Sequence, residues 1–284
     1  MKIKKGIVNE IKLKLSQIPE VVSLTLVGSH SELDKPIEKI TDLDFIIIVN
    51  KLDISVYEKI NQSLKSVAKK FNSKDMNTYV EERIGPVKLE KRKKFNLIIH
   101  QIIFDIGGYV DYCKKSPLSA YDWQNFKPVF GKDLKKINHI KKITYEDLID
   151  KRLGINYYLR VIRENTIFCL KYKIIKKNLI LTKFPVKISE GEKLQLIYSA
   201  LFFVMSNILK ISTQKNFRYN EKKLTHAFFD KFSETHYKLF FVMVLDIKNK
   251  IRNKEKIAFD AEKIENEAVK FLNELKRTIS NFPK

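Results

Sequence analysis

Two carboxylates stand two residues apart in Thr41-Asp42-Leu43-Asp44, directly before the apolar run Phe45-Ile46-Ile47-Ile48-Val49. Side chains at i and i+2 of a strand share a face, so Asp42 and Asp44 present their charges together. Like charges this close repel and call for a cation. Hard oxygen donors favour Mg²⁺ over zinc. About twelve residues upstream of Thr41, the β-branched stretch Val21 to Val27 runs into Gly28-Ser29. Glycine admits close backbone approach to a phosphate, and serine adds N–H and O–H donors. The pairing points to metal-assisted chemistry at a phosphate, with Asp42 and Asp44 as metal ligands and Gly28, Ser29 and Thr41 as the phosphate-binding side.

These residues need a scaffold, and the flanking pattern supplies one. Lys2 to Gln17 has apolar positions at helical spacing, and Ile54 to Phe71 returns to that period without Pro or Gly. Val21 to Val27 and Asp42 to Val49 read as strands, the second covered on both faces. Thr78 to Glu90 and Phe95 to Asp105 read as two more, separated by the charged turn Lys91–Lys94. Helix, strand, strand, helix, strand, strand predicts an α/β unit with a mixed sheet. Pro117 to Lys136, with Pro117, Pro128, Gly131 and the lone Trp123, reads as irregular. Beyond Tyr145 the pattern predicts long helices over about 145–177, 190–211, 222–250 and 257–280. The fold class expected is therefore α+β: a mixed sheet with flanking helices over 1–139, then an all-α helical bundle over 140–284.

Composition bounds the function. The 284 residues can bury a core without disulfides, and 44% hydrophobic content excludes global disorder. Lys+Arg is 55 against Asp+Glu 33, a net charge of +22. Roughly +8 of it falls in the first 140 residues and roughly +14 in the remainder. Such a balance favours anionic partners, with nucleotides and RNA foremost, although lysine-rich solvated faces give the same number. Cys113 and Cys169 form no CxxC pair. The apolar run from Leu194 to Leu209 is interrupted by Gln195, Ser199, Ser206 and Asn207 and reads as a buried helix rather than a membrane span. With no secretory leader pattern, a cytoplasmic location is expected.

A strand ending in Gly28-Ser29, a spacer, and Asp42-x-Asp44 opening the next strand resembles the nucleotidyltransferase superfamily, which includes DNA polymerase β and the aminoglycoside nucleotidyltransferases. The resemblance covers Val21 to Val49. It extends through Val129 to Leu134, similar to the segment closing the catalytic domain in many members, while the helical half resembles the bundle that often follows it, including the HEPN type. No Arg-x4–6-His signature follows Tyr145. The resemblance implies that Gly28 and Ser29 grip the β/γ-phosphates of an NTP and that Asp42 and Asp44 hold two Mg²⁺ ions. Compact bacterial members carry Gly-Ser-x-Ala-Arg-Gly, whereas His30, Ser31, Glu32 and Leu33 follow here. The third carboxylate such a site uses stands in a later strand, and the centre of Leu97 to Ile103 is His100. His100, as a base, a ligand or a replacement for the acid, is a candidate third group, beside Asp105, Glu81 and Glu82.

The activity expected is transfer of an NMP from an NTP to an acceptor hydroxyl, with release of pyrophosphate. RNA, a tRNA end included, comes first as acceptor, then a small hydroxylated molecule or a protein hydroxyl. The alternative is a non-catalytic nucleotide- or nucleic-acid-binding module with a degenerate site, one half of a toxin–antitoxin pair being one setting. Tyr121 and Trp123 could stack a base, and Arg160, Arg163 and Lys171 could meet an anion from the first bundle helix; packing and solvated faces are the ordinary readings. Phe202, Phe203, Phe228, Phe229, Phe240 and Phe241 read as core.

Overall fold

A computed structural model describes residues 2–34, 40–85, 95–216, 220–232, 235–252, 255 and 259–281. Two compact units emerge. The first groups Met1–Lys114, Asp122–His139 and Phe168–Pro185; the second groups Lys115–Tyr121, Ile140–Ile167 and Val186–Lys284. The units thus exchange short stretches rather than following one another along the chain.

The first unit opens with α1 (Lys2–Leu15), β1 (Val21–Val27), β2 (Ile40–Val49), α2 (Ile54–Lys70), β3 (Met76–Glu81) and β4 (Phe95–Asp105). Helix α2 starts where the Asp53 carboxylate accepts from Val56 N at 2.9 Å and turns Val56, Tyr57, Ile60, Leu64 and Val67 inward at three- and four-residue spacing. After β4 come α3 (Ile106–Lys115), α4 (Pro117–Trp123), β5 (Pro128–Gly131) and α5 (Leu134–Ile137). The sheet order is β3-β4-β2-β1-β5. Strand β1 runs antiparallel to β2 and β5, while β4 runs parallel to β2 and β3, so the sheet is mixed. Leu43, Phe45, Ile47 and Val49 of β2 and Leu97, Ile99 and Ile103 of β4 form one core with Ile7, Ile11 and Leu15 of α1 and with α2. That fixes the other sheet face as the one carrying Asp42, Asp44 and His100.

The second unit holds α6 (Tyr145–Asp150), α7 (Ile155–Glu164), α8 (Glu190–Thr213), α9 (Glu221–Lys231), α10 (Thr235–Arg252) and α11 (Ala261–Ser280); between α7 and α8 the chain forms β6 (Thr166–Ile175) and β7 (Asn178–Lys187). Thr144 with Asp147, and Ser189 with Glu192, build capping boxes on α6 and α8. Helix α8 is long and apolar enough to span a bilayer, but 78% of its most apolar window is buried, in contact with α6, α7, α9, α10 and α11. Phe228, Phe229, Phe240 and Phe241 are buried as expected, whereas Phe202 and Phe203 are partly exposed.

Four sequence expectations need correction. The helix over 145–177 is two helices and a strand: Asn165 closes α7 in the left-handed region (φ 50°), and β6 pairs with β7 across Lys176-Lys177, both at positive φ (47° and 60°). Such a turn ordinarily carries Asn-Gly, so Lys-Lys concealed the hairpin. Lys171 therefore lies on β6, off the helix of Arg160 and Arg163, and both arginines are exposed. The helix over 222–250 breaks at Phe232, whose N–H closes α9 on Phe228 O. Strand β3 ends at Glu81, short of Glu90, and Lys91–Lys94 lies outside the described residues. The irregular stretch from Pro117 holds α4, β5 and α5, with Pro117 opening α4 where a missing N–H costs nothing.

Candidate active site

The end of β1 and the start of β2 lie side by side, Val27 opposite Asp44. Gly28 follows at once with φ +82°, a conformation that side-chain-bearing residues rarely adopt. A Cβ on Gly28 would stand 2.4 Å from Asp44 Oδ2, so the carboxylate occupies the space that glycine leaves. The turn is then held by Ser31, whose hydroxyl donates to Gly28 O at 2.9 Å. Ser29 is exposed at its apex and His30 is buried behind it. Asp42 is 4% exposed, and the Asp44 side chain is 21% exposed. Thr41 is fully buried and pairs with Leu97. Leu97 also pairs with Thr78, whose hydroxyl donates to Phe71 O at the end of α2. Thr41 therefore faces the α1/α2 core, away from Asp42 and Asp44, and its expected side-chain role beside a phosphate is not what this position offers.

Parallel pairing carries the row onward. Asp44 stands beside His100, and His100 beside Glu81, on three adjacent strands. His100 Nδ1 lies 2.7 Å from Asp44 Oδ1, and His100 Nε2 lies 2.7 Å from Arg83 O. A backbone carbonyl can only accept, so Nε2 carries a hydrogen. Nδ1 and Asp44 Oδ1 then share a proton, and neither ring nitrogen is left with an open lone pair for a further partner.

The other candidate acids are committed elsewhere. Glu81 Oε1 accepts from Arg83 N and Nε, both at 2.8 Å, and Oε2 meets Arg83 Nη2. Burial would raise the Glu81 pKa, but these bonds, with the Arg83 and His100 charges, outweigh it and hold the carboxyl below its ordinary value. Glu82 is clamped by Lys65 at 2.9 Å and Lys171 at 3.1 Å, and they too override burial and lower its pKa. Asp105 Oδ1 accepts from Gly108 N at 2.6 Å, which starts α3. Of the four candidate third groups, His100 alone joins the Asp pair. The Arg83 carbonyl is a site feature that sequence reasoning missed; the only signal was its nearness to Glu81. Trp123 stacks on Tyr112 with centroids 4.9 Å apart, and Tyr121 is buried, so both are packing residues here.

No protein-family model and no curated protein matches this sequence. The backbone does match a solved structure, spectinomycin adenyltransferase AAD(9) from Enterococcus faecialis with ATP and spectinomycin. The match has a TM-score of 0.52 at 13% identity, over 96% of this chain and 99% of that chain. This chain has a nucleotidyltransferase fold. The likeness spans the sheet and the helical half alike, in agreement with the α+β architecture expected from sequence. Among the described residues, no group of three or more His, Cys, Asp and Glu side chains gathers into a metal cage. Two adjacent carboxylates nevertheless suit Mg²⁺, which is commonly held by one or two carboxylates together with substrate phosphates and water.

Proposed function

We propose that the protein transfers a nucleoside monophosphate, AMP first, from an NTP to an acceptor hydroxyl with release of pyrophosphate. The observation that carries this reading is Asp44 set against Gly28, with Asp42 two residues before it on the same strand, within that fold. Gly28 and Ser29 line the turn where β/γ-phosphates would sit, offering N–H and O–H donors with no Cβ at position 28 in the way. Asp42 and Asp44 would hold Mg²⁺. When bound, that ion neutralises triphosphate charge and stabilises the leaving pyrophosphate. His100 holds Asp44 through Oδ1; with both ring nitrogens engaged it acts on the carboxylate rather than as the base. The rest of the rate then comes from positioning and charge neutralisation.

The solved neighbour holds spectinomycin and is covered over 99% of its length, which favours a small hydroxylated acceptor. The net charge of +22 is what supports RNA as the second reading. Cytoplasmic location belongs to the same proposal. The test is incubation with each α-³²P-labelled NTP and Mg²⁺, with a panel of hydroxylated small molecules or with total RNA. The Asp42→Asn/Asp44→Asn variant runs alongside. Label transferred from ATP and lost in the variant is expected. Absence of both transfer and metal-dependent ATP binding overturns the enzyme in favour of a binding module.

A further inference from the structure

The geometry points to a site that holds one divalent cation beside Asp42 and Asp44, His100 standing where a second would be coordinated. This rests on the nucleotidyl-transfer reading and deepens it. A carboxylate that serves two cations ordinarily gives one oxygen to each. Asp44 has spent Oδ1 on His100 at 2.7 Å, and Oδ2 is the atom lodged against Gly28. That leaves Oδ2, with Asp42, as the donor set, enough for one cation whose other positions are filled by phosphate and water.

His100 cannot complete a second cation site as it stands. A histidine ligates through a nitrogen lone pair, and both nitrogens are occupied, Nε2 by Arg83 O at 2.7 Å. The Arg83 carbonyl is itself fixed, because its residue grips Glu81 through its backbone N–H and its guanidinium. The clamp also consumes Glu81, the acid paired in register with His100 on β3. Glu82 is held by two lysines. Asp105 stands five residues along β4 from His100, on the order of 17 Å at strand rise, and is spent on Gly108. Among the described residues, no third carboxylate joins Asp42 and Asp44 beside His100. Glu81 and Arg83 are thus positioning residues: they hold His100, which holds Asp44.

The experiment counts Mn²⁺ bound to the full-length protein by EPR, with saturating α,β-methylene-ATP. The expected count is one Mn²⁺ per protein–nucleotide complex. A count of two overturns this inference while leaving nucleotidyl transfer standing. Nucleotide-dependent Mn²⁺ binding that is absent from folded protein removes both. His100→Glu places a carboxylate in the row and should raise the count from one to two. His100→Gln, which can still donate to Asp44, should keep it at one. A folded His100→Glu protein that stays at one shows that position 100 does not set the count, and the inference fails. If His100→Glu does not fold, the count on the parent protein decides alone.

Discussion

Gly28→Ala tests the geometry on which the site depends. Two costs follow from one methyl group. The backbone at position 28 has φ +82°, and a residue with a Cβ pays about 1–2 kcal/mol there. The new Cβ would also lie 2.4 Å from Asp44 Oδ2, where ordinary contact begins at 3.4 Å, so the carboxylate must retreat by about 1 Å. Its other oxygen is tied to His100 at 2.7 Å. Retreat therefore strains a hydrogen bond to an ionisable partner, a type worth about 1.5–3 kcal/mol. The two costs together come to roughly 2.5–5 kcal/mol, and at about 2–4 °C per kcal/mol the melting temperature should fall by at least about 5 °C. The catalytic consequence is larger, because a displacement of about 1 Å costs on the order of 100-fold in rate. Calorimetry and labelled-ATP transfer read the two effects separately. Gly107→Ala is the control: its Cβ would meet only Asp105 Oδ1, at 3.7 Å, in α3, where alanine is the better helix former. A Gly28→Ala protein that melts within about 1 °C of the parent and transfers label at the parent rate would refute the placement of Asp44.

Two further expectations concern stability. Glu82 titrates below its ordinary value when folded, because Lys65 and Lys171 outweigh the effect of burial. Its contribution is therefore complete above about pH 4.3 and is lost as the pH falls through the lower folded value; Glu82→Gln should melt lower than the parent at pH 7, the gap closing towards pH 3, and parallel melting curves would count against the clamp. Lys176→Asn/Lys177→Gly gives the turn at φ 47° and 60° residues suited to it and should raise the melting temperature by about 2–4 °C for each kcal/mol of strain relieved; calorimetry showing no rise would mean that Lys176 and Lys177 carry no strain.

Where periodicity and local chemistry agreed, the sequence was readable. Val21–Val27 and Phe95–Asp105 are strands at the expected bounds, because continuous β-branched runs between turn residues leave little choice. Helix α2 was readable because its apolar stripe and the Asp53 cap fall in phase. The misses share a cause: the local residues named the wrong element. Lys176-Lys177 is a poor turn by composition, and tertiary packing pays for it by seating Tyr172 and Leu179 against the core under the sheet. Helix α3, for which the sequence pattern names no element, begins with Ile106-Gly107-Gly108 and is capped by Asp105, which accepts from Gly108 N.

The site divides along the same line. The placement of Gly28, Asp42 and Asp44 was legible because all three stand within one antiparallel strand pair and its turn, where Val27 opposes Asp44 once both strands form. His100 is 56 residues from Asp44, and only the parallel register of β2 on β4 brings the two together. Its role turned on something still more distant from pattern: whether a ring nitrogen was free. The Arg83 carbonyl decides that, and a backbone carbonyl has no sequence signature at all. The same residue's side chain withdraws Glu81, the acid that strand register would otherwise have offered. One arginine thus settles two questions, by removing a carboxylate from the row and by fixing the histidine that remains in it. Replacing either partner of that pair should therefore disturb Asp44 through His100 without touching the turn at Gly28, which is how a positioning residue differs from one proposed to hold the nucleotide.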